Sequence, residues 1–409
     1  PRPVATVDFD QDARLLAREG NSLFISDGNR TWQINISDPL HPVWKKLVDV
    51  VSDTNPDLIG IGCYTSDVPS LWRLTVLLKH RMPQVPIVLG GVHPTSEPEK
   101  TMHFLSEVDY IVVGEGEDTI VELCKVLSEN RTATADKVAG VYYREGQFCK
   151  YTGPRLRISD LDRLPFPDRN LGNRQDYSPA DILLTARGCP FTCKFCAANI
   201  VWTRRVRSRG MDRVLDELDS LINLNNSRRI RIGDDIFALD KKRVINFCKK
   251  VKERGLQKRI TLSLGSRVDT IDAEMIEHLA SIGTDTISFG IESGSPGILG
   301  EISKNITPAQ VEETVRLTTS YGINCFCHFM IGHPGETVDD VKMSIALFQR
   351  IANRFVDADL NISTPYPGTE LWDIAQSNGW TIQPQDFHNL FHQGQLIVNL
   401  TKMSDTELK

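Results

Sequence analysis

Short apolar runs alternate with longer amphipathic stretches along most of this chain. Residues 57–64 (DLIGIGCY) and 86–91 (PIVLGG) are apolar enough for strands buried on both faces, and 70–82 (SLWRLTVLLKHRM) has the spacing of a helix. Residues 108–117 (VDYIVVGEGE) predict a third strand entering a glycine turn, and 118–129 (DTIVELCKVLSE) a helix. This alternation predicts an α/β fold that opens with a doubly wound, Rossmann-like domain over 1–150, closed by a hairpin at 138–148 (VAGVYYREGQF). The prolines, aspartates and glycine of 151–180 predict an extended linker. Strands are then predicted at 181–186, 229–233, 260–265, 286–291, 325–331 and 358–363, with amphipathic helices between them. Six such units are too few for a closed eight-stranded barrel, so 181–370 predicts an incomplete parallel (β/α)6 barrel, followed by a small C-terminal segment over 371–409.

Ligands of open parallel sheets sit at the carboxyl ends of the strands. In the first domain those ends carry Tyr64, Thr65 and Ser66, then Gly90, Gly91 and His93, then Gly114 and Glu115.

Composition narrows the class without deciding it. The 409 residues are 40% hydrophobic and 24% charged with a net charge of −6, so no basic field draws the chain to nucleic acid. No apolar run approaches the roughly 20 residues needed to span a bilayer, and no signal peptide is visible. Nine cysteines, an odd number, several of them inside apolar elements, point to a reducing cytoplasm rather than a disulfide framework. The start at Pro1, without a methionine, is compatible with a longer protein.

Residues 186–196 (ARGCPFTCKFC) put Cys189, Cys193 and Cys196 within eight positions, flanked by Gly188 and Pro190. Packing alone does not explain three thiols there. A structural zinc site normally takes four ligands, often as paired CxxC knuckles, and no second knuckle exists. Cys325 and Cys327 share one face of a predicted buried strand and read as core thiols. Three thiolates on one loop suit a [4Fe–4S] cluster whose fourth iron is left for a small molecule. The loop follows the first barrel strand, on the side where such barrels hold their active sites.

The C-x3-C-x-aromatic-C pattern, with Phe195 as the aromatic, resembles the cluster motif of radical S-adenosylmethionine (SAM) enzymes. The resemblance implies that Cys189, Cys193 and Cys196 bind the cluster and are catalytic. SAM would chelate the open iron and be cleaved by one electron to a 5'-deoxyadenosyl radical that abstracts hydrogen from a small-molecule substrate. Flavodoxin or ferredoxin would supply the electron. Residues 232–249 resemble the second-strand segment of the branch with an N-terminal cobalamin-binding domain, with Gly233, Asp234 and Asp235 at the position that receives the SAM amino group. The resemblance further places Ser266 or Arg267 at the SAM carboxylate or ribose, and Glu292 and Ser293 at the ribose. HFMIGHPGET, which contains Ile331, would offer its backbone to adenine, and PYPGTEL is similar to the sixth-strand exit. Residue chemistry agrees: a sulfonium with an amino-acid tail needs carboxylates and an arginine, which Asp234, Asp235, Glu292 and Arg267 supply. Phe191 and Phe195 are suited to keeping water from the cluster. Arg204, Arg205, Arg207 and Arg209 crowd the stretch after it, as a solvated turn or as a contact for an anionic substrate.

The first domain resembles the cobalamin-binding domain of the same branch. That implies a corrinoid along Tyr64–Ser66, Gly90–His93 and Gly114–Glu115, with the glycine pair letting backbone approach a flat macrocycle. The D-x-H-x-x-G signature is absent, and the nearest fragment, Asp38-Pro39-Leu40-His41, has the wrong spacing, so the expected cobalamin has no histidine ligand from this domain. The implied reaction is cobalamin-dependent C-methylation. The alternative is corrinoid-free radical dehydration, epimerisation, cyclisation or rearrangement with a vestigial domain, and a third reading is a binding protein without turnover.

Overall fold

The computed structural model describes residues 42–129, 135–169, 181–223, 227–390 and 396–408, and the course of three strands within 14–35. The 38–41 fragment and the 170–180 part of the linker lie outside the described residues. The chain divides into two compact units that are not continuous in sequence. The first takes in Pro1–Ile158, Pro167–Tyr177 and Tyr366–Gly394, and the second Ser159–Phe166, Ser178–Pro365 and Gln395–Lys409.

The first unit begins with an antiparallel sheet of β1 (Arg14–Glu19), β2 (Ser22–Ser26) and β3 (Thr31–Asn35), which has no counterpart in the sequence reading. Then follow α1 (Pro42–Asp53), β4 (Ile59–Gly62), α2 (Val68–Arg81), β5 (Ile87–Gly90), α3 (Val92–Ser96), α4 (Pro98–Phe104), β6 (Tyr110–Val112), α5 (Glu117–Glu129), β7 (Val141–Glu145) and β8 (Phe148–Tyr151). The strands from β4 to β8 lie side by side in chain order in one five-stranded sheet. Strands β4, β5 and β6 are parallel, and the closing hairpin β7–β8 is antiparallel. Val88 and Val112 pack with Leu123 and Leu127 of α5, which is why the apolar face of that helix follows a short apolar strand. The later segment of this unit contributes Phe387, edge-on to His93 at 5.5 Å, and Trp372, edge-on to Trp380 at 5.5 Å.

The second unit runs β9 (Asp181–Leu183), β10 (Ala186–Arg187), α6 (Ala198–Trp202), β11 (Arg207–Ser208), α7 (Met211–Asn223), β12 (Arg229–Ile232), α8 (Lys241–Glu253), β13 (Thr261–Ser266), α9 (Ala273–Ala280), β14 (Thr284–Glu292), α10 (Pro296–Glu301), α11 (Pro308–Ser320), β15 (Asn324–Ile331), α12 (Val338–Ile351) and β16 (Val356–Ile362). Helix α13 (Glu370–Ser377) belongs to the first unit, and α14 (Asp405–Leu408) ends the second. Strands β9, β12, β13, β14, β15 and β16 neighbour one another in that order in a six-stranded sheet, every pairing parallel. This is the incomplete parallel barrel of the sequence reading.

One face of that sheet makes the core. Leu262, Leu264, Ile287, Phe289, Ile291, Cys325, Cys327 and Phe329 are buried there with residues of α7, α8, α9 and α11. Cys325 and Cys327 are therefore core thiols, and burial pushes both up to about 12. The alternate positions turn the other way and are mostly polar or glycine, as a period of two requires. Part of the expected linker packs on this unit: Asp162 accepts from Gly210 N at 2.8 Å, and the Arg213 guanidinium stacks 3.8 Å over Phe166.

The first barrel strand is shorter than its apolar run suggests. It stops at Leu183, because the backbone N–H groups of Thr185 and Ala186 donate to the Asp234 carboxylate instead of to a neighbouring strand.

Candidate active site

The three clustered cysteines lie on a loop held at both ends. Strands β10 and β11 pair across its base, Ala186 opposite Ser208 and Arg187 opposite Arg207. Gly188 starts the loop at φ +98°, and a Cβ there would come within 2.5 Å of the Arg205 carbonyl oxygen, so the return chain leaves room for glycine alone. Asp235 accepts from Gly188 N at 3.0 Å and ties the loop to the end of β12. On the far side Lys194 N donates to the Ile302 carbonyl at 3.1 Å.

Cys189, Cys193 and Cys196 are all half-buried. Burial pushes the Cys196 thiol up to about 11, and burial with the nearby Asp235 charge raises Cys189. Arg267, by its charge, opposes that rise at Cys189. Its Nη1 lies 3.7 Å from the Cys193 sulfur, and its guanidinium sits 3.7 Å above the Phe191 ring. Asp269 grips the same guanidinium at 2.9 and 2.8 Å, and the Lys304 carbonyl accepts from Nη2 at 2.6 Å. Among the described residues no three His, Cys, Asp or Glu side chains close on a single ion. Three thiols on one pinned loop, backed by a buried guanidinium and an aromatic ring, fit the separate irons of a cluster, whose positive charge would hold the thiols deprotonated.

The carboxylates expected at SAM are differently employed. Asp234 accepts from Thr185 N at 2.6 Å, Thr185 Oγ1 at 2.5 Å and Ala186 N at 3.1 Å, and burial raises its carboxyl to about 6. It is a latch between two strand ends. The place a Gly233 side chain would take is filled by Ile182, 2.6 Å from the ideal Cβ. Ser266 is buried, its Oγ 3.3 Å from the Arg267 carbonyl oxygen. Glu292 is buried, stands at φ +68°, and pairs with Lys304 Nζ at 2.8 Å. A non-glycine residue held in that left-handed region stores strain of the kind that collects at functional sites. Ser293 Oγ lies 3.2 Å from Ser344 Oγ. Sequence reasoning missed Lys304, which no periodic signal marks.

The ends of β15 and β16 answer best to a bound ligand. Ser363 N donates to the Ile331 carbonyl at 2.8 Å, which joins the two strand ends. Glu336 Oε2 accepts from Gly332 N at 2.7 Å and His333 N at 3.3 Å. Glu336 Oε1, both ring nitrogens of His333, Asn361 Oδ1 and Ser363 Oγ are buried without a protein partner. Phe195 of the cluster loop is near, its ring centre 6.5 Å from that of His333. Burial pushes Glu336 up to about 7 and His333 down to about 4. Orphaned buried donors and acceptors are costly unless something meets them, and a polar heterocycle such as adenine fits those of His333, Glu336 and Ser363.

In the first unit Gly62 and Gly90 face each other in register at the ends of β4 and β5, and neither has any atom within 4 Å of where a Cβ would stand. Tyr64 beside them is 69% exposed. A bare floor of backbone next to an exposed aromatic fits a flat macrocycle. Gly91 is a different case: at φ +113° its Cβ would meet the Cys63 carbonyl at 2.9 Å, so it serves the turn. His93 is buried, with Nδ1 3.1 Å from Thr65 Oγ1, and burial lowers it to about 4. Glu115 is buried and accepts from Ile158 N at 3.0 Å. Arg157 passes within 2.5 Å of where a Gly114 Cβ would stand. Ser66 Oγ is 3.5 Å from Asp67 Oδ1. Thr65, Gly91, His93, Gly114 and Glu115 thus serve the fold, while Gly62, Tyr64 and Gly90 are open.

The radical SAM superfamily model matches residues 183–348, and the B12 binding domain model residues 13–124. An uncharacterized methyltransferase of Pyrococcus horikoshii is 34% identical over 81% of this chain and 72% of its own. An anaerobic magnesium-protoporphyrin IX monomethyl ester cyclase of Cereibacter sphaeroides is 28% identical over 80% of this chain and 54% of its own, so this chain spans about half of that relative. Among solved structures, the radical SAM methyltransferase TsrM of Kitasatospora setae, determined with tryptophan and a SAM analogue, superposes with a TM-score of 0.70 at 20% identity, over 82% of this chain and 68% of its own. No described helix is long and apolar enough to cross a membrane.

Proposed function

We propose that this chain, which belongs to the radical SAM superfamily and carries a B12-binding domain, methylates a carbon atom of a small molecule. It is a radical SAM enzyme, and its cofactors are a [4Fe–4S] cluster, SAM and cobalamin. When bound, the cluster supplies the electron that cleaves the sulfonium of SAM, and cobalamin carries the methyl group. The reading rests above all on one chain holding both the three-thiol loop backed by Arg267 and the bare glycine floor of Gly62 and Gly90. The methyltransferase name of the 34% identical relative supports the reaction type.

Each residue then has a task. Cys189, Cys193 and Cys196 hold the irons. Arg267 sets positive charge against the Cys193 sulfur, and Phe191 shields that guanidinium from water. Asp234 and Asp235 fix the loop rather than touch SAM. The orphaned atoms of His333, Glu336 and Ser363 receive the purine. Glu292 and Lys304 orient one another near the ribose. Gly62, Gly90 and Tyr64 receive the corrin ring, and His93, held by Thr65, is withheld from cobalt. An external donor such as flavodoxin or ferredoxin supplies the electron.

The test is anaerobic reconstitution with iron, sulfide and hydroxocobalamin, then desalting, an absorption spectrum and a SAM cleavage assay. Cluster absorption near 400 nm, retained corrinoid and 5'-deoxyadenosine are expected. A desalted protein that cleaves SAM but keeps no corrinoid would overturn the methyl-transfer assignment.

A further inference from the structure

The face of the six-stranded sheet opposite its core carries polar side chains on its last two strands. On β15, Cys325, Cys327 and Phe329 enter the core, so Phe326, His328 and Met330 face the other way. Register carries this face across the sheet. His328 stands opposite Gly290 on β14 and opposite Asp359 on β16, and Met330 stands opposite Asn361. His328 Nδ1 lies 2.9 Å from Asp359 Oδ1, with the two side chains 38% and 25% exposed. The Phe326 ring is edge-on to the imidazole at 5.0 Å. A cross-strand pair at a protein's outer surface would be worth little. This one adjoins Gly290, whose absent side chain makes way for the buried pair of Glu292 and Lys304, 2.5 and 2.7 Å from the ideal Cβ.

Two acceptors result. With Asp359 taking the hydrogen of Nδ1, the imidazole keeps a lone pair on Nε2, turned away from the aspartate. Asn361 Oδ1 is buried and without a protein partner, two residues further along the strand from Asp359. The two acceptors stand on adjacent strands, His328 opposite Asp359 and Asn361 two residues beyond it on the same face, close enough for one small molecule with two donors to meet both. Lys304 is paired with Glu292, so it offers an anion no free charge.

We propose that His328, oriented by Asp359, and Asn361 bind the substrate on this face, and that the substrate presents N–H or O–H donors rather than a bare hydrocarbon surface. This deepens the methyltransferase reading and rests on it for the word substrate. It assigns His328 and Asn361 as contacts and Asp359 as a positioning residue.

The test uses the reconstituted full chain with SAM and two bicyclic probes of similar shape, followed by ligand-observed nuclear magnetic resonance. One is 2-benzimidazolinone, with two N–H donors, and the other is indane, with none. The parent is expected to bind the donor probe at least tenfold more tightly than His328→Phe or Asn361→Leu, and more tightly than it binds indane. Asp359→Asn should weaken the donor probe without improving indane, and His328→Gln, which keeps an acceptor and the fold, should fall between parent and His328→Phe. No binding of the donor probe by the parent, tighter binding of indane, or equal affinity in the parent, His328→Gln and Asn361→Leu would overturn the proposal. Formation of 5'-deoxyadenosine is measured separately: its absence from the parent defeats the radical SAM reading and leaves the probe comparison standing.

Discussion

Arg267 Nη1 lies 3.7 Å from the Cys193 sulfur, while the same guanidinium stacks 3.7 Å above Phe191 and donates to Asp269 and to the Lys304 carbonyl. The group is buried, held along its edge and on one face, so it behaves as a fixed positive charge beside the cluster. Charge and hydrogen bonds at the sulfurs set a cluster's reduction potential. Arg267→Met should lower the midpoint by on the order of 60 mV, about 1.4 kcal/mol for one electron. Arg267→Lys keeps the charge but loses the planar stack, and should fall by less. A redox titration followed by electron paramagnetic resonance checks this, and an unchanged potential in Arg267→Met would show that the guanidinium does not act on the cluster.

Glu292 and Lys304 form an ion pair with side chains 6% and 7% exposed. Removing one member leaves a buried charge alone. Lys304→Met should therefore destabilise the barrel by roughly 3–5 kcal/mol, and Glu292→Gln with Lys304→Met should recover much of that loss. Denaturant unfolding of the singles and the double measures the coupling. Simple addition of the two single effects would contradict the pairing.

Neighbouring glycines should behave oppositely. Gly91→Ala forces a Cβ against the Cys63 carbonyl at 2.9 Å in left-handed backbone and should lower stability with or without corrinoid. Gly90→Ala meets nothing within 4 Å, so stability should hold while retention of hydroxocobalamin falls. Gly188→Ala, 2.5 Å from the Arg205 carbonyl oxygen, should cost iron content. Normal corrinoid retention in Gly90→Ala would remove the proposed floor.

The barrel was readable from sequence because its six strands are short apolar runs spaced by helices, a pattern that one buried face imposes. The cluster loop was readable because three cysteines at that spacing have no packing explanation. Hydrogen-bond partners were not readable. Asp234 looks like a ligand carboxylate at a strand end, yet it meets Thr185, 49 positions earlier, and only the fold brings them together. Lys304 follows an irregular turn, and nothing in its neighbours announces Glu292. The three strands within 14–35 are too short and mixed in sequence to show a clear period. The division of residues 366–409 between the two units depends on packing that local pattern does not encode.

His333 and Glu336 should give stability opposing dependences on pH. Glu336 rises from an ordinary 4.5 to about 7 in the folded chain, so the folded state holds the extra proton and stability falls as pH rises through 4.5–7. His333 drops from 6.5 to about 4, so the unfolded state holds the extra proton and stability rises with pH through 4–6.5. Glu336→Gln should expose the rising limb, and His333→Asn the falling one. Denaturant midpoints from pH 4.5 to 6.5 in the cluster-free chain measure both. Parallel curves for parent and variants would mean that neither group titrates as its burial requires.

The most direct measurement quantifies 5'-deoxyadenosine and S-adenosylhomocysteine together after the reconstituted, corrinoid-loaded enzyme is reduced with SAM. Both products should form, the first lost in Cys189→Ala, Cys193→Ala and Cys196→Ala. 5'-Deoxyadenosine without any S-adenosylhomocysteine would contradict methyl transfer and leave a radical enzyme of another reaction type.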